Sequence, residues 1–137
     1  MESEIRIAIV VNPALGLGLL ANTVGAISIG LGAGTPALAG RKLTDRSDRT
    51  IDVSSRLPVP ILQADQATIQ AILLKAVGAA QGSVVAFPAF ARALHQHADY
   101  EQAFPGRDLA QEEIDGIGLV GPSSWVRSLT GALKLLR

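Results

Sequence analysis

The chain opens with Ile5 to Val11, a β-branched run that is apolar on both faces and predicts a central strand buried on both sides. Asn12-Pro13 ends it, and Gly16 and Gly18 make a flexible turn into a helix from about Leu19 to Leu31. One stripe of that helix (Gly18, Ala21, Gly25, Ser28 and Gly32) is small throughout, which predicts close packing against a sheet or a second helix. Residues 34–56 turn polar, with a short hairpin through Thr50 to Val53. Val59 to Gln63 predicts a second strand, and Asp65 caps a helix whose apolar stripe is Ile69, Ile72, Leu73, Ala76 and Val77, stopped by Gly82. Val84 to Phe87 is a third strand. Pro88 and an amphipathic helix through Phe90, Leu94 and His97 follow, then an irregular acidic stretch from Ala98 to Asp115. Ile117 to Val120 is a fourth strand, and Ser123 caps a last helix with Trp125, Val126, Leu129, Leu133 and Leu136 on its apolar face. Strands alternating with helices predict one α/β domain over residues 1–137, a three-layer α/β/α sandwich around a four-stranded mixed sheet.

Composition narrows the possibilities. Hydrophobic residues make up 48% and aromatics 4%, so the core is built from Ala, Val, Ile and Leu. Lys plus Arg equals Asp plus Glu at 12 each, which argues against a broad electrostatic grip on nucleic acid or membrane. Without cysteine there are no disulfides, thiol catalysis or thiolate metal sites, which suits a reducing cytoplasm. No charged residue occurs from Ile7 to Gly40. The lead into that run holds Glu2 and Glu4 against Arg6, the opposite of a basic signal-peptide start, and Asn12-Pro13 and six glycines interrupt it. The expectation is an uncleaved cytoplasmic chain with no membrane span.

Motifs that carry chemistry are few. Gly16 to Ala21 fits a loose G-x-G-x-x-A turn, yet four residues separate the strand from its first glycine and no acid ends a second strand about 20 residues on, so nucleotide binding is not expected. His95 and His97 point to nearly opposite sides of a helix; only on an extended segment, with Asp99 and Glu101, would they share a metal. No serine lies in a G-x-S-x-G turn. No metal and no cofactor is expected.

Gly116-Ile117-Gly118-Leu119-Val120-Gly121-Pro122 and Leu129-Thr130-Gly131-Ala132-Leu133-Lys134-Leu135 resemble the end of type II peptidyl-tRNA hydrolases, G-I-G-P-G-P followed by V-T-G-H-L-K-L. Pro60 to Lys75 resembles that family's V-V-K-A-P-D-E-E-T-L strand and helix. Its opening lysines fall on Leu17 and Leu19, its glutamine on Thr23, its histidine on Ala26, and its D-A-G-R-T stretch near Pro88 and Ala89 is missing. The resemblance therefore implies a peptidyl-tRNA hydrolase II-like fold without the catalytic residues. A closer resemblance, carried by Leu20-Ala21-Asn22-Thr23 and the G-L-x-G strand, is to the bacterial family called domain of unknown function two-thousand, which implies a fold and no reaction.

In open α/β sheets ligands gather beyond the carboxyl ends of the strands. That rim should hold Asn12, Gly16, Gly18, Asn22, Thr23 and Asp65, with Gln63 and Pro88 beside them. Two functions stay open: a small-molecule binding or regulatory module, and a hydrolase or transferase of unrecognised type in the same cleft. The resemblance also implies a homodimer, joined through the small-residue stripe or through Trp125, which otherwise fills the core.

Overall fold

The computed structural model describes residues 4–137, so Glu2 of the acidic lead-in lies outside the described residues. Its elements are β1 (Ile5–Val11), α1 (Leu17–Gly34), β2 (Leu43–Thr44), β3 (Thr50–Ile51), β4 (Ile61–Gln63), α2 (Gln66–Gly78), β5 (Ser83–Pro88), α3 (His97–Ala103), β6 (Ile114–Pro122), α4 (Ser123–Thr130) and β7 (Lys134–Leu135). The main sheet has five strands in the order β5-β6-β1-β4-β7, where the sequence pattern predicts four. It is mixed: β4 runs parallel to β1, while β6 is antiparallel to β1 and β5, and β7 to β4. The added strand is only two residues long, below what period-two alternation reveals. It forms because α4 ends at Thr130, after which Lys134 and Leu135 pair with Gln63 and Leu62.

β1 and β6 are inner strands, as their lack of polar faces predicts, and they pair without a break from Ile5–Pro122 to Val11–Gly116. Alternation along β1 divides the core. Ala8 and Val10 pack with α2 and α4 through Ile69, Ile72, Leu73, Trp125 and Val126. Ile7, Ile9 and Val11 pack on the opposite face with Ile27 and Leu31 of α1. Trp125 is 5% exposed and therefore belongs to the intrachain core.

Elsewhere the boundaries move. The helix expected through Phe90, Leu94 and His97 is a 3-10 turn over Ala89–Ala93, with α3 starting at His97. The Phe90, Tyr100 and Phe104 rings cluster there at 5.6–6.5 Å between centroids, and Arg107 lies 4.4 Å over Phe90. Ring packing thus shapes the excursion, in place of a helical stripe. Ser123 does not cap α4; Pro122 holds that position and the Ser123 N–H donates to the Glu4 carbonyl at 2.7 Å. α2 ends at Gly78, ahead of Gly82.

The small-residue stripe of α1 faces outward: Gly18, Ala21, Gly25, Ser28 and Gly32 are all exposed. Close approach comes from the other partner. A Cβ on Gly118 of β6 would lie 2.4 Å from Ile27 Cγ2 and 2.9 Å from Leu31 Cδ1, and one on Gly116 would lie 2.9 Å from Thr23 Cγ2. The glycines that seat the helix on β6 are therefore in the strand, while Gly30 of α1 lies close to Val85 of β5. Among the described residues α1 alone is long and apolar enough to cross a membrane by length and composition, at mean hydropathy 1.5; here its Thr23, Ile27 and Leu31 side lies on the sheet.

Gly118→Ala should cost about 1–3 kcal/mol through overpacking. Gly25→Ala, with nothing within 4 Å of its added carbon, should gain about 0.5–1 kcal/mol of helix propensity. Denaturant unfolding of both variants in dilute solution checks the contrast; equal effects would mean that the helix does not rest on β6 as described.

Candidate functional site

The rim beyond the carboxyl ends of β1, β4 and β5 holds most of the residues expected there, and Asn12 and Asp65 are already engaged. Asn12 accepts the Ala14 N–H on Oδ1 at 3.0 Å and donates its own N–H to the Asp115 carbonyl at 3.2 Å, so it shapes the turn into α1. Gly16 takes the N-cap position in an extended conformation and offers no side chain to the helix. Gly16 and Gly18 are exposed and open around their α-carbons. Asn22 faces outward from α1, whereas Thr23 is fully buried, with Oγ1 donating to the Leu19 carbonyl at 2.8 Å. Asp65 caps α2, accepting the Thr68 N–H at 2.8 Å. The Thr68 side-chain and backbone hydrogen bonds hold its carboxyl below the ordinary value. Asn12, Gly16 and Gly18 therefore share one turn, but Thr23 belongs to the core and Asp65 starts a helix on the opposite face of the sheet.

An ion pair that sequence patterns did not single out closes this rim. Register slips between Phe87 and Pro88, leaving Asp115 as an extra residue on β6. Its side chain is 1% exposed and takes a two-pronged contact from Arg92, with Nε at 2.6 Å from Oδ2 and Nη2 on Oδ1. Asp115 in turn raises the Arg92 pKa further above its ordinary value. Gln66 and Gln70, one helical turn apart on α2, fasten the strand's approach: Gln66 Oε1 accepts the Ile114 N–H and Gln70 Nε2 donates to the Leu109, Ala110 and Glu112 carbonyls. His95 and His97 are exposed, with His97 Nε2 3.3 Å from Glu101, and no cluster of metal ligands occurs among the described residues. Asp115 is thus committed to the Arg92 pair and Asp65 to the cap of α2, while Glu113, just before β6, is exposed.

The larger hollow lies at the other end of β1. A cleft of about 720 Å³ opens beside Ile5, with Leu38, Leu57, Pro58 and Pro60 as apolar walls. Arg6, Arg56 and Ser123 line it, together with Glu4. Arg56 is steadied by its Nε donating to the Ala37 carbonyl at 2.7 Å. A shallower hollow of about 390 Å³ between α2 and α4 includes Asp65, Lys75 and Ser128. Of the six residues expected to bind ligand, Asp65 alone lines either hollow.

These features define a three-layer α/β domain with a mixed sheet. Residues 5–137 match the profile of a family described as Protein of unknown function (DUF2000), and the chain belongs to that family. A solved protein of unknown function from Agrobacterium tumefaciens strain C58, Atu0240, superposes with a TM-score of 0.88 at 18% identity, covering 96% of each chain. That likeness concerns the fold. A search of curated proteins finds no match.

Arg92→Gln should strand the buried Asp115 carboxylate and lower stability by roughly 2–4 kcal/mol, discounted from a fully buried pair because the Arg92 side chain is 37% exposed. Adding Asp115→Asn should restore part of the loss in a double-mutant cycle; strictly additive losses would deny the coupling. Asp65→Ala should lower the melting temperature near neutral pH. A lowered carboxyl pKa stabilises the fold above the ordinary 3.8 and loses that effect as pH falls through the folded value. The two melting curves should therefore converge in acid, and a gap that persists there would contradict the cap.

Proposed function

We propose that this chain is a small-molecule binding module, cytoplasmic and homodimeric, on a peptidyl-tRNA hydrolase II-like fold that lacks that enzyme's catalytic residues. The observation that carries the reading is where the open volume lies. The cleft of about 720 Å³ combines apolar walls with a few polar groups, the usual make-up of a ligand site. The rim expected to do chemistry has its carboxylates tied to Thr68 and Arg92. A general base needs a free acceptor facing its substrate; Asp115 is buried with both oxygens on Arg92, and Asp65 is held as the cap of α2. Leu17 and Leu19, where the hydrolases carry lysines, supply no charge to an RNA phosphate.

The outer face of α1 supports the homodimer. It bears no charge along its length and exposes Leu17 at 84% and Ile29 at 76%. An uncharged face of this kind tolerates its own copy across a twofold axis. Trp125, the other candidate anchor, is occupied within the core.

Mass spectrometry of the purified protein, native and then denatured, should find a co-purifying small molecule that survives incubation unchanged. Ala37→Trp, which places a ring in the cleft, should abolish it. Protein that carries no small molecule, or that converts the one it carries, would overturn the reading. Sedimentation equilibrium should show a dimer that Ile29→Glu dissociates and Trp125→Ala only destabilises; a monomeric wild type at high micromolar concentration removes the dimer. Peptidyl-tRNA should not be cleaved above background.

A further inference from the structure

The cleft contains an unpaired strand edge. β1 and β6 keep one register throughout: the Asn12 N–H donates to Asp115 and the Ser123 N–H to the Glu4 carbonyl. Even-numbered β1 residues therefore spend their backbone groups on β6, and the N–H and C=O of Ile5, Ile7, Ile9 and Val11 point toward β4. From Ile9 onward those groups are used. The Ile9 N–H donates to the Pro60 carbonyl at 3.1 Å, and the Val11 carbonyl accepts from Ala64 at 3.1 Å. One step earlier the ladder fails, because the donor due to the Ile7 carbonyl is Pro60, which has no N–H. Pro58 repeats the deficiency two residues before. Among the described residues neither backbone group of Ile7 finds a partner, although the residue is almost wholly shielded from solvent. Such groups are costly unless something completes them.

Charge at the same place selects what completes them. Arg6 and Arg56 line the cleft against one acid, Glu4, and no carboxylate among the described residues lies within ion-pair distance of either arginine. The start of α4, with Ser123 at the cleft wall, has no side-chain cap and adds the positive end of a helix. Leu38 and Leu57 give an apolar side chain a place to rest. An edge that lacks a strand partner and carries cationic flanks matches an extended backbone ending in an anion.

We propose that this cleft takes a short extended ligand bearing a secondary amide and a terminal carboxylate, the chemistry shared by N-acylated amino acids and the C-termini of peptides. The amide pairs with the N–H and C=O of Ile7, the carboxylate meets Arg6 and Arg56, and the side chain lies on Leu38 and Leu57. This rests on the binding-module reading and names its ligand class.

The test is a titration of nitrogen-15-labelled protein with N-acetyl-alanyl-leucine, with its C-terminal carboxamide, and with an eight-residue peptide ending in Ala-Leu. The free acid should move the Ile7 amide signal downfield as its hydrogen bond forms. The carboxamide should bind about tenfold more weakly, since it lacks the charge-assisted contact. Arg6→Gln and Arg56→Gln should each weaken the acid while leaving the ligand-free spectrum folded and otherwise in place. Both sources of the chemistry support the proposal: an octapeptide that binds at least as well as the acid assigns protein C-termini, and a weaker one assigns small acyl amino acids. Equal binding of acid and carboxamide, lost in Ala37→Trp, would sink the carboxylate assignment and leave the binding module standing. An Ile7 signal unmoved by saturating acid, or no binding of any probe, overturns the proposal, while co-purification decides the broader reading separately.

Discussion

The contact between Gly116, Gly118 and the inner face of α1 sets the geometry from which the remainder follows. Two missing β-carbons on the central strand let Thr23, Ile27 and Leu31 settle against the backbone of β6. With a glycine opposite, the Thr23 hydroxyl meets no polar group on the sheet and turns back to Leu19. Once α1 is seated by its branched side chains, the stripe glycines Gly18, Gly25 and Gly32 are left on the outside. The same helix that buries one edge of itself tightly thus presents a bare, uncharged face to whatever lies beyond.

A second constraint acts along the sheet. β6 pairs with β1 over its whole length, but β4 meets only the far half of β1 because prolines precede it. A central strand is consequently central at one end and an edge at the other. Exposed edges are usually blunted by charge, by proline or by a covering loop. Here Pro58 and Pro60 prevent this chain from completing the pairing, and Arg6 and Arg56 stand beside the gap. The open volume is a consequence of pairing register, and only secondarily of which side chains surround it.

That origin explains what was legible in the residues. The two-faced apolar runs of β1 and β6 identified inner strands, and Asp65 announced the start of α2, since both signals are local. The α1 stripe misled because small residues at helical spacing mark either a face pressed against something or a face with nothing on it. Only Gly116 and Gly118, far along the chain, decide between them. The fifth strand went unseen because Lys134 and Leu135 join the sheet by tertiary position, without alternation. The Arg92–Asp115 pair lay in a segment that reads as irregular, and it becomes visible only when the slip after Phe87 brings 23 residues of separation to hydrogen-bond distance.

The polar residues expected at the site are placed by related constraints. Looking for chemistry in a sequence means looking for side chains that react, and the rim supplied such residues: an amide at Asn12, a hydroxyl at Thr23, a carboxylate at Asp65. Each proves to be a local solution to a backbone problem, namely a turn, a helix interior and a helix start. Polar side chains near element ends are recruited first by the unsatisfied backbone that ends create, and only those left over are available to a ligand. At the cleft the leftover polar groups include main-chain ones at Ile7, whose side chain is wholly apolar and whose identity gives no hint of them. Their presence follows from two other positions: Gly121 to Gly116 fixing the parity of β1, and Pro60 withholding an N–H. The unpaired edge is written in the sequence as the absence of a donor at Pro60, not as any reactive side chain.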